Sequence, residues 1–199
     1  MAVKAKATPI ITPEFIGSYV TLVKPRAIEE GKEPKYSINI VLKKKDPKTI
    51  AFIKKLEAAF TASMVDKLGK AIPFASCKHY PIHDGDKPNE DGEVNETTKG
   101  CWSIYASSNF KPNAINKRGE KLITEDDLYS GAVYIAAVTT WAWKHPTGGK
   151  GVSVNLDNVM KIRDGNRIGG GRKAEEDFAA YIDPDATDDE EGGDDPMMR

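Results

Sequence analysis

A mainly β fold, a small closed or partly closed antiparallel barrel with one inserted α-helix, is what the sequence predicts, and three observations predict it. About six short segments are rich in β-branched and aromatic residues, and the clearest of them alternates apolar and polar with a period of two. Turn signals at close spacing separate these segments, as in small barrels. The helical period occurs once, so the regular β and α alternation of a doubly wound sheet is missing.

Residues 1–13 hold Pro9 and Pro13 and little pattern, and read as a flexible N-terminal arm. FIGSYVTLVKP then favours a strand over residues 15–23, closed by Pro25. KYSINIVLKKK sets Tyr36, Ile38, Ile40 and Leu42 against Ser37, Asn39, Val41 and Lys43, the period of a half-buried strand. Next, Asp46 caps and Pro47 starts a helix over Pro47–Leu68. Its apolar stripe is Ile50, Phe52, Ile53, Leu56, Phe60, Met64 and Leu68, and Gly69 stops it. Between Pro73 and Gly100 the chain is polar and broken by Gly and Pro, a long excursion expected to be mostly irregular. CWSIYASSNF resumes strand character, PNAINKRGEKLI reads as a hairpin turning at residues 116–119, and TEDDLYSG as a short turn or helical piece. AVYIAAVTTWAWKH is the most apolar strand, PTGGKG its glycine turn, and GVSVNLDNVMKIRDG the last strand.

Charge divides the chain. Residues 175–199 hold 11 acids and 1 base, so residues 1–174 keep 30 − 11 = 19 acids and 29 − 1 = 28 bases, a body of +9 carrying a tail of −10. Such a like-charged, weakly apolar end does not offset the entropy of ordering and is expected to be disordered, with glycines 169–171 as a hinge. No run approaches the roughly 18 apolar residues of a membrane span, and the N-terminus lacks the apolar core of an export signal, so a soluble, unexported protein is expected. Cys77 and Cys101, the only cysteines, read as reduced thiols.

Three groups of residues invite chemistry. Trp102, Tyr105, Phe110, Trp141 and Trp143 lie on or just after strands, while Lys24, Arg26, Lys43, Lys44, Lys45, Lys111, Lys117, Arg118 and Lys144 sit at strand ends or turns. Single-stranded nucleic acid is gripped by that mixture, because cations track phosphates and unpaired bases stack on flat side chains. A strand has two faces, so not all five aromatics can be ligands: Trp141 and Trp143 share one face, Tyr105 and Cys101 share one, and Trp102 and Phe110 fall opposite these two. The second group, Cys77, His79, His83 and Cys101, offers zinc-ligand chemistry at a spacing that matches no common finger, so two buried thiols and two surface imidazoles are expected and no metal or other cofactor. The third, HDGDKPNEDGE, is rich in carboxylates but lacks the ligand order of a calcium loop. P-loop, dinucleotide, nucleophile-elbow and zinc-protease motifs are absent, so no enzyme is expected.

The strand TLVKP, the strand YSINIVLKKKDP leading into a helix, the PNAINKRGE hairpin and the segments DLYSGAVYIAAVTTWAW and GGKGVSVNLDNVMKIRDGNRIGGG together resemble the bacteriophage single-stranded-DNA-binding proteins of the T7 type. The resemblance implies an OB-fold domain over residues 14–168 and a glycine hinge with a disordered acidic tail over residues 169–199. It implies sequence-independent binding and protection of single strands during phage replication and recombination, in the cytoplasm of the infected bacterial host. It implies a tail that competes with DNA and engages phage or host replication proteins, and it leaves a homodimer open. The tail acids Asp188, Asp189, Glu190, Glu191, Asp194 and Asp195 would serve that role. Such tails often finish in an aromatic residue, whereas this one finishes Pro196-Met197-Met198-Arg199, so Phe178 and Tyr181 are the candidate anchors. Two alternatives remain beside this reading: a metal-dependent nuclease using His79, His83 and the following acidic loop, and an acidic DNA-mimic or scaffold protein.

Overall fold

The computed structural model describes residues 8–27, 30–88, 92–169 and 178–182. It divides into two units, Met1–Ile168 and Gly169–Arg199. In the first unit the strands are β1 Ile10–Ile11, β2 Phe15–Arg26, β3 Lys35–Lys43, β4 Ile82–Asp84, β5 Cys101–Ser108, β6 Asn113–Ile115, β7 Val133–His145 and β8 Gly149–Arg163. One helix, α1 Pro47–Leu68, stands between β3 and β4. Of the second unit, residues 178–182 form one turn, in which the Phe178 carbonyl accepts the N–H groups of Tyr181 and Ile182 at 2.8 and 3.1 Å. The tail acids, and the disorder expected of them, lie outside the described residues.

β7 pairs with both β2 and β8, and the pairings run β7–β2–β3–β5–β8–β7, a closed ring of five strands. All of these contacts are antiparallel except β5–β8, which is parallel. The protein is therefore the OB-fold-like β-barrel with an inserted helix that the sequence led us to expect. Side chains at alternate positions fill the interior: Phe15, Ile38, Ile40, Ile104, Tyr134, Val138 and Leu156 are all buried. Helix α1 packs on β7 and places Phe52, Leu56, Phe60 and Met64, one per turn, in the same core. Its ends are those the sequence marks. The Asp46 carboxylate accepts the Lys48 N–H at 2.8 Å, and Gly69, at φ 77°, donates to Val65. Ile50, expected in the stripe, lies off it and is exposed.

Two expectations need correction and a third is refined. The arm is ordered from Ile10, where β1 pairs with Val138 and Ala137 of β7. Thr12 beside it is buried, donating its N–H to Ala136 and accepting the Ala136 N–H on its hydroxyl, both at 2.9 Å. Pro25 does not end β2: the β2–β3 register jumps from Thr21–Ser37 to Arg26–Lys35, so no pairing asks Pro25 for the N–H it lacks. The excursion is mostly irregular, as expected, but Ile82–Asp84 within it form strand β4. β5 and β8 pair only at Ala106–Val154 and Ser107–Asn155, and residues 78–84 enter where they part. Lys78 N–H donates to Lys150 and Val152 N–H to His79, while β4 pairs with β5 from Ile82–Ile104 to Asp84–Trp102. These bonds satisfy the backbone groups that the divergence of the two strands leaves open.

Gly131 shows how the end of the unit is fixed. Its φ is 106°, and a Cβ there would lie 1.8 Å from the Asn166 carbonyl oxygen. Only glycine admits residues 165–168 against the opening of β7, where Ile168 N–H donates to the Ser130 carbonyl at 2.9 Å.

Candidate nucleic-acid interface

The outer face of the ring carries two aromatic sites. The first begins with an irregularity in β2. Alternation from the buried Phe15 would turn Tyr19 inward, but the register shifts between Ser18 and Thr21, and beyond the shift the buried residue is Leu22. Tyr19 takes φ 49° and its side chain is 69% exposed. The Val20 N–H, displaced from the ladder, donates to the Ser130 hydroxyl at 3.1 Å. Tyr19, Thr21, Arg26, Asn39, Tyr105 and Ser130 are among the residues lining a groove of about 530 Å³ across β2, β3 and β5. In its floor Asn39 pairs with Tyr105. The Thr21 and Ser37 hydroxyls bond each other at 2.9 Å, and the buried Tyr105 hydroxyl has no partner among the described residues.

The second site is the far end of the β7–β8 hairpin. Trp141 and Trp143 point outward, opposite Ser153 and Gly151, while Ala142 between them is buried. Trp143 is fixed: its Nε1–H donates to the Ser153 hydroxyl at 3.2 Å, and its ring lies where a Cβ on Gly151 would meet Cζ2 at 2.5 Å. Glycine at 151 is what lets an indole lie against the neighbouring backbone. Trp141 is 49% exposed, and Lys144 follows at the exposed end of the strand.

The structure separates the other expected residues. Trp102 shares the inward side of β5 with Ile104 and Ala106 and packs against the core, with the Lys44 ammonium 4.9 Å above its ring. Lys44 bridges Asp84 and Asp86, and Asp86 accepts the Gly100 N–H at 2.6 Å. Hydrogen bonds to Asp84 and then Asp86 push the Lys44 pKa up, and the same contacts hold both carboxyls below the usual aspartate range. Its neighbours Lys43 and Lys45 are exposed without an ion pair to a described residue. Phe110, just past β5, is 83% exposed and is followed by exposed Lys111. Lys117 and Arg118 occupy the exposed turn after β6, where Arg118 pairs with Glu120 at 3.2 Å, and Lys24 pairs with Glu125 at 3.4 Å. Phe178 and Tyr181 are exposed on their turn.

Cys77, His79, His83 and Cys101 are distributed along the inserted segment and β5; both thiols are half-buried rather than buried as expected, and of the two imidazoles only His83 is exposed, His79 being half-buried. Cys77 follows a single 3-10 turn, His83 pairs with Ser103, and Cys101 pairs with Lys43. Burial raises the pKa of both thiols and lowers that of the His79 ring, which His83 lowers further. Among the described residues no three His, Cys, Asp or Glu side chains converge as a metal site requires. Also among them, no helix is long and apolar enough to cross a membrane.

Comparison with known proteins agrees with this fold. The family model described as the ssDNA-binding protein of Enterobacter phage Enc34 matches residues 8–191. The single-stranded DNA-binding protein from bacteriophage Enc34, solved in complex with ssDNA, is 25% identical with a TM-score of 0.70, over 81% of this chain and 90% of that one. A C-terminal truncation of the Enc34 protein gives 25% and 0.67, over 81% and 88%. Gp2.5, a single-stranded DNA-binding protein encoded by bacteriophage T7, is 15% identical with a TM-score of 0.52, over 90% and 97%, a likeness of fold. A search of curated proteins gave no match. The chain belongs to the family of the Enc34 single-stranded-DNA-binding protein.

Proposed function

From that membership we propose that the chain binds single-stranded DNA without sequence preference, makes no covalent change in it, and serves phage replication or recombination inside the infected bacterium. The observation that carries the reading is Trp141: a half-exposed indole on the outer face of a barrel strand, beside the fixed ring of Trp143 and the cation of Lys144. Aromatic platforms bordered by cations accept any base, because every base has a flat face and every nucleotide a phosphate. The groove on β2, β3 and β5 adds Tyr105 and Arg26 on the strand face with which OB-folds bind oligonucleotides.

The acidic tail competes with DNA for the same cations and, once displaced, is free for replication proteins. In support, residues 175–199 hold 11 acids and 1 base on the same chain as a body of +9, so the polyanion is covalently tethered to the cations it would cover. A tethered polyanion acts at high effective concentration. Duplex DNA, whose bases are stacked inside it, depends more on bare charge and is the ligand more strongly excluded. The test is binding of labelled single and double strands to the full chain and to a chain ending at residue 174, with and without magnesium. We expect retention without cleavage, tighter single-strand binding after truncation, a proportionally larger gain for duplex, and gains that shrink as salt rises. Cleavage in magnesium would favour a nuclease instead. Equal affinities at low salt would remove the competition.

A further inference from the structure

Tyr19 stands in β2 in a conformation that its residue type disfavours. Among the described residues it is the one non-glycine with positive φ, at 49°. That region brings a Cβ close to the backbone carbonyl, and for a bulky residue it is an outlier. Two positions earlier the same strand uses glycine where packing requires it: a Cβ on Gly17 would meet the Tyr134 ring at 2.6 Å. At position 19, where φ itself calls for glycine, the chain carries a tyrosine. The ring does not compensate by packing, since it is 69% exposed. The surroundings do hold the distortion in place: the Ser130 hydroxyl takes up the Val20 N–H that the register shift leaves without a strand partner. A strained, exposed aromatic in the middle of a strand, with a dedicated support, is the pattern of a residue kept for contact with a ligand. What it faces is the groove that also holds the Tyr105 ring and the Arg26 guanidinium.

We propose that Tyr19 is a base-stacking platform, presented by the bulge of β2 so that one unpaired base seats in the groove while Arg26 takes the adjoining phosphate. This rests on the single-strand function proposed above and deepens it. The groove becomes a second point of contact, separate from the Trp141 hairpin, and Ser130 is its positioning residue. The ligand feature recognised is the flat face of a base, so the contribution vanishes where the base is missing.

Four proteins test it: the unsubstituted chain, Tyr19→Phe, Tyr19→Ala and Tyr19→Gly. Each is titrated against a labelled oligo(dT) and against an abasic deoxyribose-phosphate strand of equal length, and each is melted. Tyr19→Phe keeps its affinity for oligo(dT) within about twofold, whereas the Ala and Gly variants lose about 5- to 150-fold, the range of one stacking contact. All four bind the abasic strand alike. Tyr19→Gly melts above Tyr19→Ala, because glycine alone relieves the backbone at positive φ. Undiminished binding of oligo(dT) by the Ala and Gly variants overturns the role of Tyr19 and leaves the function standing. So does a Phe variant as weak as the Ala variant. Failure of the unsubstituted chain to bind oligo(dT) overturns the function and this role together.

Discussion

Replacing Trp141 by alanine separates a ligand platform from a core residue, because the structure gives different sizes to the two effects. A tryptophan side chain brings roughly 200 Å² into play. With Trp141 49% exposed, about half of that is covered by protein, and at about 25 cal/mol per Å² the cover is worth about 2.5 kcal/mol. The area that alanine keeps, and the compactness of real unfolded chains, bring this down to about 1.5 kcal/mol. For a chain of this size the melting temperature should fall by about 3–6 °C. Loss of a stacked base should cost about 1–3 kcal/mol of binding, or about 5- to 150-fold in Kd. Trp143→Ala should do the reverse in proportion. It removes an anchored ring and leaves a cavity, a change that costs about 3–5 kcal/mol of stability in a packed site. Anisotropy of a labelled oligonucleotide is the assay for Trp141→Ala, since it does not depend on the tryptophans being replaced, and thermal melts run beside it. A Trp141→Ala protein that binds oligo(dT) as tightly as the unsubstituted chain but melts far lower would refute the assignment of Trp141 to the interface.

Gly151→Ala should displace the Trp143 ring, because the new methyl would sit 2.5 Å from Cζ2 and 3.0 Å from the His79 carbonyl; a lowered melting temperature and an altered tryptophan emission would show it. The bridge from Lys44 to Asp84 and Asp86 should make part of the stability acid-sensitive. Since both carboxyl pKa values are depressed on folding, the contribution is complete above the ordinary aspartate range, about pH 4, and is lost as pH falls through the depressed values. Asp84→Asn should flatten that dependence in melts recorded against pH. Lys44→Ala should leave the salt dependence of oligo(dT) binding unchanged, since its ammonium is already paired, whereas Lys144→Ala should reduce the slope of log K against log salt by about 0.7. Equal changes in the two variants would contradict this division.

How much was legible in the sequence follows from the range of the interactions. The helix could be read to the residue because Asp46, Pro47, the one-per-turn apolar stripe and Gly69 are local signals. Strand positions were legible too, and on β5 so was the division into two faces, but not which face is inward: Trp102 and Tyr105 were both candidate ligands, and only the packing of Trp102 with Ile104 and Ala106 decides between them. Tyr19 was not. Alternation puts it with Phe15, and only the shifted pairing with β3 turns it outward. Nor does composition distinguish Lys44 from Lys43 and Lys45, because the acids that engage it lie 40 and 42 residues away. β4 was hidden for the same reason: three residues in a polar stretch become a strand because β5 and β8 part and leave an edge for them.

The paired lysines also change what the charge of the body means. A surplus of 28 − 19 = 9 cations in residues 1–174 is not nine sites for phosphate. Of the nine cations that the sequence offered for binding, Lys24, Lys44 and Arg118 are held by Glu125, by Asp84 with Asp86, and by Glu120. Six remain without an ion pair to a described residue, and they are divided among the groove, the end of β3, the stretch after β5, the turn after β6 and the β7–β8 hairpin. The tail carries 11 acids, more than the cations it must cover. The proposed competition by the tail would therefore not require a fitted complex. It would require only that enough negative charge stay within reach of the few unpaired cations, and removing half the acids would still leave about as many charges as there are sites. In the proposed competition that surplus would suit a brake that a long single strand would release by adding stacking on Trp141 to its phosphates, an attraction that an acidic tail matches in charge and lacks in bases.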